Sequence, residues 1–276
     1  MGAIRSVLLH LDASPNSAAR LVFARNLALR FEAALGGMFV ASPLQCPPEL
    51  AFAEGRGALV QPLDRAAMER ERTRFASALA EGGPAMHWLE SVGINAGDAF
   101  CRQALYADLL VLGQHDPDAA RGGSAPADFV ESVLIATGKP AIVLPAAGEF
   151  EPFGRDVLIG WNATPQAARA VTAALPWLRG ARRVHVLLAT SEARQNCPFE
   201  LGIAQYLQFH GIVPALHHDH AKPADVGGVL LSFARDLDAD LLVMGCCSHG
   251  QAHERVLGGA SRTVLRAMGL PVLMAH

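Results

Sequence analysis

Residues 245–261 read GCCSHGQAHERVLGGAS, and two features of this stretch could do chemistry. Gly258-Gly259 stands just before a helical pattern running through Thr263 and Leu265. Backbone N–H groups at a glycine-rich helix entry, together with the positive end of the helix dipole, form an anion site that a phosphate can approach closely. Cys246-Cys247 is the second feature, because a thiol near a helix N-terminus can have a lowered pKa. The pair is not Cys-x-x-Cys, and adjacent cysteines form a disulfide only with a distorted peptide. A free cysteine is also a common small buried residue. Elsewhere, His217-His218-Asp219-His220 ends an apolar run. Strand alternation puts His218 and His220 on one face and His217 with Asp219 on the other. No Cys/His spacing supports a closed zinc site, so surface histidines are expected there and no metal. Ser14, Ser248 and Ser261 lack the Gly-x-Ser-x-Gly elbow of a hydrolase nucleophile, and no catalytic residue is expected.

The elements that must position these residues are written twice. ADLLVLG at 107–113 returns as ADLLVMG at 239–245, an offset of 132. VLIATGKPAIVLP at 133–145 matches VLRAMGLPVLMAH at 264–276, an offset of 131. VLLHLDASP from Val7 resembles VLIGWNATP from Val157, an offset of 150. Repeats of this size point to duplicated domains, here 1–147 and 152–276, divided where Gly and Pro cluster between two apolar runs.

Within each repeat, strand and helix patterns alternate. The first predicts strands at 7–11, 35–40, 86–91 and 108–112, helices at 17–30, 63–80 and 98–106, then a last helix and a strand ending at Leu144. The second predicts strands at 157–161, 183–189, 212–218, 241–244 and 271–275, with helices at 165–178, 199–209, 225–237 and 259–268. Strands that are apolar throughout, alternating with helices, mean a parallel sheet covered on both faces. The expected fold is therefore α/β, two tandem five-stranded parallel doubly wound, Rossmann-like domains. In such sheets ligands sit beyond the carboxyl ends of the strands, at a switch in strand order. That selects Asp12-Ala13-Ser14-Pro15 and Asn162-Ala163-Thr164-Pro165 after the first strands, and the segments after Gly113 and Gly245.

Bulk composition is consistent with this. Half of the 276 residues are hydrophobic and 18% are charged, enough to bury two cores. A net charge of −3 and the absence of any Lys/Arg run exclude a nucleic-acid footprint. No apolar run reaches the length of a membrane span, and the start reads as a buried strand rather than a secretory signal. Five cysteines at irregular spacing do not make a disulfide framework, which points to a reducing cytoplasm.

The Asp12-Ala-Ser-Pro turn, the paired ADLLV(L/M)G strands, the closing G-x-P strand and the span from Gly245 to Gly259 together resemble the universal stress protein family, over nearly the whole chain. The resemblance implies an adenine nucleotide α-hydrolase-like fold and a tandem stress-response protein that acts by binding rather than turnover. It also implies an intramolecular pseudo-dimer of the two domains, meeting at 141–144 and 272–275, with association of two chains as a further step. Nucleotide-binding members carry Gly-x2-Gly-x9-Gly-(Ser/Thr), and this chain reads Gly245-x2-Ser248-x9-Gly258-Gly259. The implied ligand is ATP with Mg²⁺, against Gly245, Ser248, Gly258, Gly259, Ala260 and Ser261, with Asn162 and Ala163 near the sugar. Serine in a left-handed conformation costs roughly 1–2 kcal/mol, and the hydroxyl lost at Gly259 about 1 kcal/mol. Asn162 replaces an aspartate and is a poor Mg²⁺ ligand.

The first repeat keeps Asp12 but has no glycine pair at the required spacing, and Asp128 and Glu131 would repel phosphate. Asp12 or Ser14 is expected to cap or brace the helix beginning near Pro15, with residual ligand contact as the alternative. For Gly245–Gly259 the alternative is a strand-to-helix connection inherited with the fold. Two other functions remain open: a protein-interaction module without nucleotide, and a nucleotide hydrolase or transferase using His249, His253 or Arg255. A metal- or thiol-dependent sensor is a weaker fourth reading.

Overall fold

The computed structural model describes residues 4–41, 62–92, 96–115, 125–148, 150, 153–189, 202–219, 225–246 and 259–276. The chain divides into two compact units, residues 1–139 and 140–276.

In the first unit, strands β1 (Ser6–Leu11), β2 (Ala34–Ala41), β3 (Met86–Val92) and β4 (Leu109–Gly113) alternate with helices α1 (Ser17–Phe31), α2 (Pro62–Ala80), α3 (Ala96–Ala104) and α4 (Phe129–Thr137). The strand order is β3-β2-β1-β4, and the β1–β2, β2–β3 and β1–β4 pairs are parallel. Every residue of β4 is buried, as are five of the six in β1, which is what helices on both faces require. The chain moves outward from β1 through β2 to β3, then returns to the other side of β1 as β4. That reversal opens a crevice between the carboxyl ends of β1 and β4.

The second unit holds β5 (Ala141–Leu144), β6 (Asp156–Trp161), β7 (Arg183–Ala189), β8 (Ala215–Asp219), β9 (Leu241–Gly245) and β10 (Val272–Ala275). Its helices are α5 (Pro165–Leu178), α6 (Ile203–Phe209), α7 (Val226–Asp236) and α8 (Gly259–Ala267). The order is β5-β10-β9-β6-β7-β8, parallel except where β5 runs antiparallel to β10, Ile142 opposite Leu273. The reversal here lies between β6 and β9. The two closing strands expected to meet, 141–144 and 272–275, do pair, and this pairing places β5 with the second unit rather than the first.

Local chemistry sets the boundaries. Thr164 caps α5 by accepting the Ala167 N–H at 3.2 Å, with Pro165 in the first turn, so the helix starts where the pattern predicts. The strand predicted from 212 begins only at Ala215, because Pro214 has no N–H to give the ladder. Helix α1 starts at Ser17, after Asn16, and neither Asp12 nor Ser14 caps it with a side chain. Asp12 braces the turn instead, accepting the Ser14 N–H at 3.1 Å.

Candidate functional site

The two switch points are built on one plan and filled differently. At an offset of 150, the buried positions of α1 (Ser17, Arg20, Leu21, Ala24, Leu27 and Ala28) fall on buried positions of α5 (Ala167, Ala170, Val171, Ala174, Trp177 and Leu178). Arg20 therefore corresponds to Ala170, Asp12 to Asn162, Ser14 to Thr164 and His10 to Gly160.

In the first unit, Arg20 points from α1 into the crevice and pairs with Asp12, their side chains 3% and 6% exposed. Its second nitrogen donates to Ser14 Oγ at 3.1 Å, and the Ser14 hydroxyl donates in turn to Asp12. A Cβ on Gly113 would lie 2.3 Å from the guanidinium, so glycine at the end of β4 makes room for Arg20. Burial alone would raise the Asp12 pKa. The charge of Arg20, the neighbouring His10 and the hydrogen bonds from Ser14 and Arg20 outweigh it and hold the carboxyl down at about 2. Beside this pair, His10 packs between Phe100 and Phe129, with ring centroids 5.5 and 4.4 Å away. Burial lowers the His10 pKa to about 4, with Asp12 opposing and Arg20 assisting. Just after β4, His115 Nδ1 lies 3.0 Å from the Ala125 carbonyl oxygen. Among the described residues, this crevice is filled by its own side chains.

Among the described residues of the second unit none of that filling is present. Asn162 and Ala163 are exposed at the end of β6, and Ala170 stands where Arg20 would. The Asn162 carboxamide oxygen accepts the Thr164 hydroxyl at 2.8 Å. Ala163 between them has φ 53°, the left-handed region, without a helix C-terminus to explain it. His10 and Phe129 are matched by Gly160 and, at an offset of 131, by Ala260.

The glycines of the predicted motif separate by role. A Cβ on Gly245 would lie 2.6 Å from the Ala167 backbone nitrogen, so this glycine is required for α5 to close on β9. A Cβ on Gly259, first residue of α8, would meet no described atom within 4 Å. Ala260 follows it, half-buried, and Ser261 is buried. The close seat of α7 on α8, where a Cβ on Gly227 would lie 2.8 Å from the Ala260 carbonyl oxygen, fixes this helix entry. Ser248 and Gly258 lie outside the described residues, as do Cys247, His249, His253 and Arg255. Cys246 is fully buried in the backbone ladder, donating its N–H to the Ala275 carbonyl at 2.8 Å.

Sequence reasoning missed Arg20. Its signal was available: the residue sits on the buried stripe of α1, three before and one before apolar or small neighbours that repeat at helical spacing, where a charge needs a partner.

A pair of doubly wound parallel units, each with a crevice at its strand reversal, defines the Rossmann-like α/β class. No protein-family model and no curated protein matches the sequence. Solved structures do. A universal stress protein from Archaeoglobus fulgidus DSM 4304 is similar over 98% of this chain and 97% of its own, at 16% identity and a TM-score of 0.69. A functionally unknown protein from Pseudomonas aeruginosa PAO1 is similar over 98% of this chain and 92% of its own, at 16% identity and a TM-score of 0.62. The fold is that of the universal stress proteins, as the sequence resemblance implied. Among the described residues, no helix is long and apolar enough to cross a membrane.

Proposed function

We propose that this chain is a non-enzymatic stress-response protein of the cytoplasm, of the universal stress protein type, that binds one ATP through its second unit and none through its first. One observation carries the reading: the first crevice is occupied by Arg20, Asp12, His10 and Phe129, whereas Ala170, Asn162, Gly160 and Ala260 stand at the matching positions of the second. In this reading Gly245, Ser248, Gly258 and Gly259 follow the phosphates, Ala260 and Ser261 give N–H groups at the entry of α8, and Asn162 with Ala163 meets the sugar. The strand-end carboxylate is replaced by the Asn162 amide, so Mg²⁺ would be carried by the phosphates rather than by the chain. Asp12 already has internal partners and takes no part. The repeats, 1–147 and 152–276, act as an internal pseudo-dimer, a reading supported by the β5–β10 pairing.

Titration calorimetry with ATP and Mg²⁺ tests this, on the wild type and on Gly259→Glu. A Cβ at this position meets no described atom within 4 Å, so the variant should fold while placing a carboxylate where phosphate would sit. One site per chain, lost in the variant, is expected. No heat at high micromolar ATP from a protein folded by circular dichroism would overturn the reading. ATP turnover well above background would instead favour the hydrolase or transferase alternative.

A second reading, a protein-interaction module, draws on Phe209 and Val213, 67% and 82% exposed around the turn from α6 to β8, with Leu216 beside them. Loss of a partner from pull-downs with Phe209→Ser/Val213→Ser, while ATP binding is absent, would favour it.

A further inference from the structure

The geometry points to a transition-metal site of the copper(II) or nickel(II) class between His185 of β7 and His217 of β8. In the β7–β8 register His185 lies opposite Ala215 and Leu187 opposite His217, so the two histidines are diagonal neighbours on one face of the sheet. His185 Nδ1 and His217 Nε2 are 3.0 Å apart, with ring centroids 5.2 Å apart and planes tilted by 38°. Phe233 of α7 stands edge-on to His217 at 5.8 Å and holds that ring in place. The sequence pattern put His217 on the face opposite His218 and His220, the last of which lies outside the described residues; register brings His217 to a histidine 32 residues away.

The distance selects the ion. With metal–nitrogen bonds of about 2.0–2.1 Å, nitrogens at this separation subtend roughly 91–97° at the metal. That is the cis angle of a tetragonal or octahedral ion, below the tetrahedral angle that zinc prefers, and imidazole nitrogen suits copper and nickel. Both rings must offer a lone pair. Burial, with His217 and Arg183 adding to it and Asp156 opposing, favours the neutral form of His185, which can offer a lone pair. Without a metal the two facing nitrogens share one proton across the 3.0 Å contact. With both rings neutral, coordination through both facing nitrogens requires the donor ring to change tautomer: its proton leaves the contact for solvent while its far nitrogen takes one up, so that each ring carries its single proton on the far side. The far nitrogen of His185 has no other hydrogen bond among the described residues, so no existing contact has to be broken when it takes up the proton.

Among the described residues no group of three or more His, Cys, Asp and Glu side chains could hold a metal. The site therefore has two protein ligands, with water completing the coordination. His217 is half-buried on β8, the outermost strand of its unit among the described residues, which gives water and ion access. Two ligands and exchangeable water make a labile site rather than a structural one.

The test uses the whole chain and Ni²⁺ at neutral pH in a non-chelating buffer, followed by calorimetry and thermal unfolding. Wild type should bind, and its melting temperature should rise with Ni²⁺. His217→Gln should weaken binding at least tenfold and abolish the rise. His185→Gln should do the same if it folds; His217→Gln, being half-buried, decides the matter otherwise. His218→Gln changes the opposite face and should behave as wild type. Copper(II) in place of nickel should give a spin-resonance spectrum with two equatorial nitrogens in wild type, reduced in His217→Gln. No binding by wild type, or binding undiminished in His217→Gln, would overturn the site.

Discussion

Arg20 and Asp12 form an ion pair sealed inside the first unit, with Ser14 bridging them and Gly113 leaving the space the guanidinium fills. The matching positions of the second unit, Ala170 and Asn162, have lost both charges together. An ion pair of this kind is costly to break from one side, because the remaining charge is left buried and alone.

Arg20→Ala should therefore destabilise the protein by about 3–5 kcal/mol. Asp12→Asn combined with Arg20→Ala reproduces the residues of the second unit. The double variant should lose less than the sum of the two single changes, by about 1–3 kcal/mol. Urea unfolding of the four proteins measures this, and strict additivity would mean the pair is not coupled.

Acid should weaken the first unit in two steps. His10 binds its proton at about 4 when folded, against 6.5 for the free side chain. The unfolded chain thus holds more protons between those values, and the stability is present above pH 6.5 and lost as pH falls towards 4. The loss should be on the order of 3 kcal/mol. Asp12, at about 2 against 3.8, adds a contribution that is present above pH 3.8 and disappears as pH falls towards 2. His10→Leu should flatten the urea midpoint between pH 6.5 and 4 while leaving the lower step in place.

Gly245→Ala should be severe, since its methyl would meet the Ala167 and Gln166 backbone at 2.6 and 2.8 Å and a helix would have to move. Gly259→Ala should be neutral or stabilising by up to about 1 kcal/mol, because alanine narrows the unfolded ensemble and meets no neighbour. Melting temperatures of the two variants separate the packing glycine from the free one. Equal losses would show that the entry of α8 is constrained after all.

Ala163→Gly should raise stability by several tenths of a kcal/mol. It removes a left-handed alanine that costs about 1–2 kcal/mol, and the freedom glycine adds to the unfolded chain returns part of that gain. A fall in the melting temperature would mean that the Ala163 methyl makes contacts worth more than the strain.

The fold was legible because its signals are periodic and doubled. Helix α5 and strand β7 begin and end where their patterns predict, since Thr164-Pro165 and the flanking polar residues punctuate them. Pro214 delayed β8 by a rule that period alone does not include. The candidate site was legible by position and not by content. The strand reversals located both crevices, but an arginine on a helix ordinarily reads as solvated, and only the buried stripe through Leu21, Ala24 and Leu27 reveals that Arg20 turns inward. Likewise Gly245 reads as a phosphate glycine from spacing, while the close approach of α5 is a long-range contact that no local pattern encodes. His185 and His217 are far apart in sequence, and only register brings them together.

The antiparallel seat of Ala141–Leu144 beside Val272–Ala275 has a consequence for dissection. A protease cut, or a gene split, at the repeat boundary near residue 148 would leave the first fragment trailing four wholly buried residues, AIVL, stripped of the neighbour that covers them. Such a tail is an adhesive edge that invites self-pairing. Duplication within one chain keeps both strands permanently at high local concentration, so their union no longer depends on how much protein the cell makes.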